Sequence, residues 1–375
     1  MFSDTILDNI HNFSTSCFPY DPFHDRYQVY YRETLRQYVT SRGYKFHCSS
    51  PQFSRLLGFL RTVRSSSRLA GLVWPLRPVA NRMIDSLAWS LGARRNPIHS
   101  LVGQYVVCLK NGKTFQFCVD SHDSGDICSP DLLKRSDLYF KTNYWKSRHY
   151  DPKVVPFFNG NPKVLKSCET LAAMRNRPAQ YDVCLFVRVW GGKDEVEGVE
   201  HCVRMLEAVA RIRCRKFVLG YLVAGDIRGL SERLRKAGVP TTTKPLKVSE
   251  LWKIASRSRM NIIRLGIHYC IPHRMFDLLA LGTCPVLDQA PKTIWPAPLV
   301  EGQHYLSLNL NTGRDQLVAD AAAYDRVPEL LESFLSNEQL VPQIRESAAA
   351  YFDNNLRPDR VGKRIFDEVC QRIQC

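Results

Sequence analysis

Three closely spaced side chains, His273, Arg274 and Asp277, are suited to hold an anion and a hydroxyl group together. They open the run IPHRMFDLLALGTCPVLDQ at residues 271–289, where a polar triplet leads into an apolar helix. Gly282 stops that helix, and a short strand follows over 284–287. The free N–H groups of a helix start favour an anion. An arginine there can grip phosphate with two parallel bonds. Asp277 lies one turn further along the same face, where a carboxylate can accept from hydroxyls. A helix-terminal charge and a plain Arg–Asp ion pair also account for these residues.

Two further groups could share a site with them. In FVRVWGGKDEVEG, residues 186–198, Arg188 stands at a strand end and Gly191-Gly192 let backbone approach a ligand closely. Lys193 follows, so two cations and a glycine turn could hold a diphosphate; an ordinary turn is the alternative. In VDSHDSGD, residues 119–126, His122 or Asp123 could act as a general base across a cleft. Otherwise this is a polar loop after a hairpin.

The elements that must position these groups follow from periodicity. From residue 182 onward the chain alternates strand-like and helical runs. Strands are expected at 182–190, 216–224, 260–265 and 284–287, with helices at 196–213, 226–237, 249–257 and 274–281. A short extended piece is expected around 240–243. This alternation predicts a parallel, doubly wound sheet, whose ligands bind beyond the carboxyl ends of the strands. Both the Gly191-Gly192 turn and the His273–Asp277 segment fall at that edge. In the first half, a helix is expected over 27–38, and GYKF opens a strand. The clearest hairpin spans 104–120 around Asn111-Gly112, a pair suited to a type I′ turn. The Pro/Gly/Asn-rich stretch 152–162 approaches a domain boundary, and the tail reads as helices over 328–335, 337–352 and 359–373. The expected division is 1–165, 166–352 and a final helix in 353–375.

Composition bounds the function classes. The 375 residues are 45% hydrophobic and 23% charged, as in a soluble globular protein large enough for two domains. No apolar run is long enough to predict a transmembrane helix, and the acidic, weakly apolar start does not read as a secretory signal. Thirteen cysteines, none in a CxxC pair, predict buried reduced thiols in a cytosolic protein rather than a zinc site. The net charge of +16 calls for an anionic partner. In 51–100, eight arginines face one acid, Asp85. Arg61, Arg64 and Arg68 recur on one helical face, which gives either a basic surface for anionic lipid or polyanion, or an ordinary solvated face.

The second half resembles the nucleotide-sugar-binding domain of GT-B fold glycosyltransferases. It is similar to the group 1, spore-maturation-type and exostosin-like families. The resemblance rests on FDLLALGTCPVLD, on SELWKIASRSRMNI before it, on FVRVWGG, on LVEGQHYLSL and on the final helices from IRESAAAYFDNN to the end. It implies two Rossmann-like domains facing each other across a cleft, with a C-terminal helix crossing back to the first. It implies a nucleoside-diphosphate sugar as co-substrate, no cofactor and no metal, and a glycan or lipid-linked acceptor, as in polysaccharide biosynthesis. Arg188, Lys193 and Arg274 would neutralise the departing diphosphate, with Gly191 and Gly192 beside it. His273 and Asp277 would orient sugar or ribose, and His122 or Asp123 would serve the acceptor. The expected location is cytoplasmic, peripheral at the inner face of an anionic membrane through 51–100. Tyr269 stands where many retaining relatives carry a glutamate, so the resemblance implies no particular stereochemistry. A basic nucleic-acid-binding protein and an inactive GT-B scaffold are the alternatives.

Overall fold

The computed structural model describes residues 9–15, 26–48, 101–188, 196–213, 217–222, 229–242, 246–266, 268–310 and 318–374. The basic stretch 51–100, with its expected membrane surface, and Gly191, Gly192 and Lys193 lie outside them. The chain forms two compact units: Met1–Leu165 with Pro358–Cys375, and Lys166–Arg357.

The first unit contains β1 (Ile10–Thr15), α1 (Arg26–Ser41), β2 (Lys45–Cys48), β3 (Val102–Leu109), β4 (Thr114–Asp120), α2 (Pro130–Arg135), β5 (Leu138–Lys141) and β6 (Val154–Pro156). Its sheet runs β2-β1-β3-β4-β5-β6. The sheet is mixed, because β3 is antiparallel to both β1 and β4 while β4, β5 and β6 run parallel. The β3–β4 hairpin forms where expected, but its turn is not type I′. Type I′ needs positive φ at both central residues, and only Gly112, at φ 81°, has it. Gly112 N bonds Leu109 O and Leu109 N bonds Lys113 O, at 3.0 and 2.9 Å. That is a type I turn closed by a glycine bulge. Stacked, edge-to-face and tilted pairs among Tyr105, Phe117, Phe140 and Phe157 fill the core behind β4 and β5.

The second unit begins with the short α3 (Cys168–Ala172) and continues through β7 (Tyr181–Arg188), α4 (Val196–Ala210), β8 (Phe217–Leu222), α5 (Leu230–Lys236), β9 (Thr241–Thr242), α6 (Val248–Ser256) and β10 (Ser258–Ile263). Next come α7 (His273–Ala280), β11 (Cys284–Leu287), β12 (Leu306–Ser307), α8 (Ala321–Asp325), α9 (Val327–Ser336) and α10 (Leu340–Tyr351). All six strands are parallel, in the order β12-β11-β10-β7-β8-β9. The chain winds outward from β7 to β9, then returns to lay β10 on the other side of β7. The crevice between β7 and β10 is therefore the topological switch point, where doubly wound sheets take their ligands. Both faces of such strands are covered, so their sequences are continuously apolar. Leu185, Met260, Ile262 and Val286 are fully buried, and Val203 and Leu206 of α4 join them in one core.

After α10 the backbone widens through a π turn, Phe352–Leu356, and Arg357 adopts the extended conformation that a following proline demands. Helix α11 (Pro358–Gln374) then packs on α1 of the first unit. The approach is close because Gly362 lacks a side chain: a Cβ there would lie 2.3 Å from Thr34 O. Phe366, on the same face, sits among the rings of Phe13, Tyr38 and Tyr44. Two sheet-bearing units joined by a returning C-terminal helix are the organisation expected of a GT-B fold. Among the described residues, no helix is long and apolar enough to cross a membrane.

Candidate functional site

At the switch point, the loop 264–272 leaves β10 and delivers the chain to α7. Its shape is held from below by Asp288, at the end of β11. Asp288 Oδ1 accepts from Leu265 N and Gln289 N, each at 3.0 Å, and Oδ2 lies 3.0 Å from His201 Nε2. His201 Nδ1 is 2.7 Å from the Tyr324 hydroxyl, which accepts from Ala319 N at 3.1 Å. The imidazole therefore bridges Asp288 and Tyr324 through its two ring nitrogens. All three side chains are buried. Within the loop, Tyr269 N bonds Gly266 O at 2.8 Å and Tyr269 occupies the left-handed region at φ 55°. That conformation is unusual for a bulky residue and marks local strain. Lys292 stacks its ammonium 3.8 Å from the Tyr269 ring centre, which brings a cation against the loop.

Arg274 is half-buried in the first turn of α7. Its Nη1 donates to the Phe186 carbonyl of β7 at 3.1 Å. The same guanidinium lies beside the Cys184 thiol, whose pKa burial raises and the arginine lowers in part. Among the described residues, Arg274 Nη2 is buried without a hydrogen-bond partner. His273 is half-buried beside it, and Asp277 is buried one turn along. One arginine, one histidine and one carboxylate thus share the head of α7, against the strand whose last residue is Arg188.

His122 and Asp123 belong to the first unit, in the loop after β4. Asp120 organises that loop from a fully buried position. Its carboxylate pairs with Lys141 Nζ at 3.2 Å and accepts from His122 N, Cys128 N and the Tyr139 hydroxyl at 2.9–3.0 Å. Burial, followed by the nearby Asp120 charge, pushes the Cys128 thiol up to about 12. His122 Nδ1 accepts from Ser124 N at 3.1 Å. Asp123 is exposed, and its carbonyl accepts from the Asn143 side chain.

The periodic reading located the head of α7 but missed Lys292, Asp288 and His201. Of these only Asp288 left a sequence signal, as a lone acid closing the apolar strand CPVL. Among the described residues, no group of three or more His, Cys, Asp or Glu side chains is placed to hold a metal ion.

No protein-family model matches the chain, and no curated protein matches it. Solved structures do. A glycosyltransferase from Rickettsia africae is 13% identical, with a TM-score of 0.43; the match covers 65% of this chain and 65% of that one, just under two thirds of its length. Anabaena HepE, solved with UDP and glucose, is 11% identical with a TM-score of 0.44, over 95% of this chain and 96% of that one. Acinetobacter baumannii MurG is 11% identical with a TM-score of 0.37, over 68% of this chain and 65% of that one. Likenesses at this level do not assign an activity.

Proposed function

We propose that the chain is a glycosyltransferase that moves a sugar from a nucleoside-diphosphate sugar to a glycan or lipid-linked acceptor without a metal. The observation that carries this reading is Arg274 at the switch point of a parallel doubly wound sheet. Its guanidinium is half-buried, tied to β7 through one amino group and unpartnered at the other among the described residues. A desolvated, pre-placed cation stabilises charge that develops on a leaving diphosphate more strongly than a solvated one. Arg188 at the end of β7, with Gly191, Gly192 and Lys193 following it, would complete the diphosphate cradle. His273 and Asp277 would orient the ribose or sugar hydroxyls.

On the acceptor side, the bonding of His122 favours Asp123 as base. In the neutral imidazole, a nitrogen that accepts from Ser124 N carries no proton, so the ring proton sits on Nε2. The exposed Asp123 carboxylate is then the group placed to take a proton from the acceptor.

Calorimetric titration with UDP and GDP tests the donor half. Micromolar-scale binding that weakens on Arg274→Ala supports it. Sugar release from UDP- or GDP-sugars separates an active enzyme from an inactive scaffold. Absence of nucleotide binding together with salt-dependent RNA binding would overturn the reading.

A further inference from the structure

A second basic site lies at the other edge of the second sheet, where the strands begin. A cavity of about 620 Å³ is lined there by Arg175, Arg177, Arg259 and Arg345, with Glu346 in its wall. Arg175 and Arg177 precede β7, Arg259 is the second residue of β10, and Arg345 comes from α10. Two of the four guanidinium groups are matched by carboxylates. Arg175 holds Asp353 through bonds of 2.6 and 2.8 Å, and Arg259 reaches Asp182 at 3.3 Å.

The other two have no carboxylate among the described residues. Arg345 donates Nε to Gly282 O at 3.1 Å and Nη2 to Arg175 O at 3.0 Å. The first bond caps a carbonyl just past the end of α7 and the second holds the chain that follows α3, so together they account for part of the side chain; Nη1 is left over. Burial holds this guanidinium below its ordinary pKa, which marks its charge as partly desolvated. Arg177 is half-buried and makes no hydrogen bond or ion pair among the described residues. Helix capping explains neither Arg177 nor the cavity. Two like charges on one concave wall, one of them desolvated, are costly unless an anion joins them. The arginine fork matches phosphate oxygens, and the volume falls in the range of small-ligand sites.

We propose that this cavity is a second anion site, which binds the phosphate group of a small phosphorylated ligand between Arg177 and Arg345. It stands apart from the reading of the α7 edge. The test is calorimetric titration of the full chain with inorganic pyrophosphate, comparing wild type, R177E and R274A. Each charge-assisted bond to phosphate supports about a tenfold change in affinity, so R177E is expected to weaken this binding by about tenfold or more while R274A retains it. If pyrophosphate also occupies the α7 edge, stoichiometry falls from two to one in either variant. Arg177 holds nothing in the described fold, so R177E and the milder R177Q should unfold at the wild-type temperature. No saturable binding by wild type, or loss in R274A but not in R177E, would overturn the proposal. Glycerol 3-phosphate and phosphatidate vesicles distinguish the source. Loss by R177E with the first marks a soluble ligand, and with the second a lipid headgroup. Sensitivity to neither overturns the phosphate reading.

Discussion

Arg274 Nη1 donates to the carbonyl oxygen of Phe186 at 3.1 Å, so a single guanidinium ties the head of α7 to β7 across the switch point. The bond fixes where the rest of the guanidinium stands. Nη2 is left buried without a partner among the described residues. A donor oriented and desolvated in advance needs little reorganisation when an anion arrives.

Replacing Arg274 should therefore cost both fold and ligand. Arg274→Ala removes one bond to a carbonyl and is expected to lower stability by about 1–2 kcal/mol. It should also weaken nucleoside-diphosphate binding by about tenfold or more. Arg274→Lys keeps the charge but not the fork, and should recover only part of the affinity. Urea unfolding and calorimetry measure the two effects separately. An alanine variant that loses stability but binds UDP or GDP as wild type does would reduce Arg274 to a structural tie.

Asp288 supports the same site from beneath. Its carboxylate accepts from the backbone of Leu265 and Gln289 and faces His201. Asp288→Ala strands two buried amides and an imidazole, and is expected to cost about 3 kcal/mol or more. The loop should loosen before the sheet does, because its anchor is lost while the strand pairing of β10 remains. Hydrogen exchange at the Leu265 amide reads this directly. Unchanged protection there in the variant would show that Asp288 does not hold the loop.

His304 couples stability to pH. Its Nδ1 accepts from Val300 N at 3.0 Å and its ring lies against Tyr351, 4.8 Å between centres. Burial lowers its pKa from the ordinary 6.5. Between that lowered value and 6.5 the unfolded chain binds a proton that the folded chain does not. The contribution to stability is therefore fully present above 6.5 and is lost as pH falls through the folded value. From about pH 8 to about pH 5, wild type should lose more unfolding free energy than His304→Gln. Parallel pH dependence of the two proteins would remove His304 as the cause.

What could be read in the sequence divides along lines of locality. The βα alternation of the second unit was legible because each element carries its own period, so the sheet edge bearing His273, Arg274 and Asp277 followed from it. The hairpin at Asn111-Gly112 was legible in place but not in type, since Asn111 stays out of the left-handed region that a type I′ turn requires. Strand β1 carries only a weak alternation and is defined by partners on β2 and β3, so local pattern did not reveal it. The His201–Asp288–Tyr324 chain joins three separate segments that only the closed sheet brings together. Lys141 was the least legible residue. In LYFK it reads as a strand-ending charge, yet it is fully buried because Asp120 on the neighbouring parallel strand needs its ammonium.

Lys141 Nζ lies 3.2 Å from Asp120 Oδ1 and also donates to the His122 carbonyl at 3.1 Å. The pair thus links the ends of β4 and β5 to the loop that carries His122 and Asp123. Lys141→Met leaves the Asp120 charge buried and unpaired, for which a loss of about 3–5 kcal/mol is expected. Asp120→Asn alone leaves the ammonium unpaired and should cost a comparable amount. In the double variant neither charge is stranded, and the remaining amide can still accept from His122 N or Cys128 N. Its loss should therefore be clearly smaller than the sum of the single losses. Urea unfolding of the four proteins closes the cycle. If the losses add, the two charges do not depend on each other, and the loop is held by the backbone bonds to Asp120 alone.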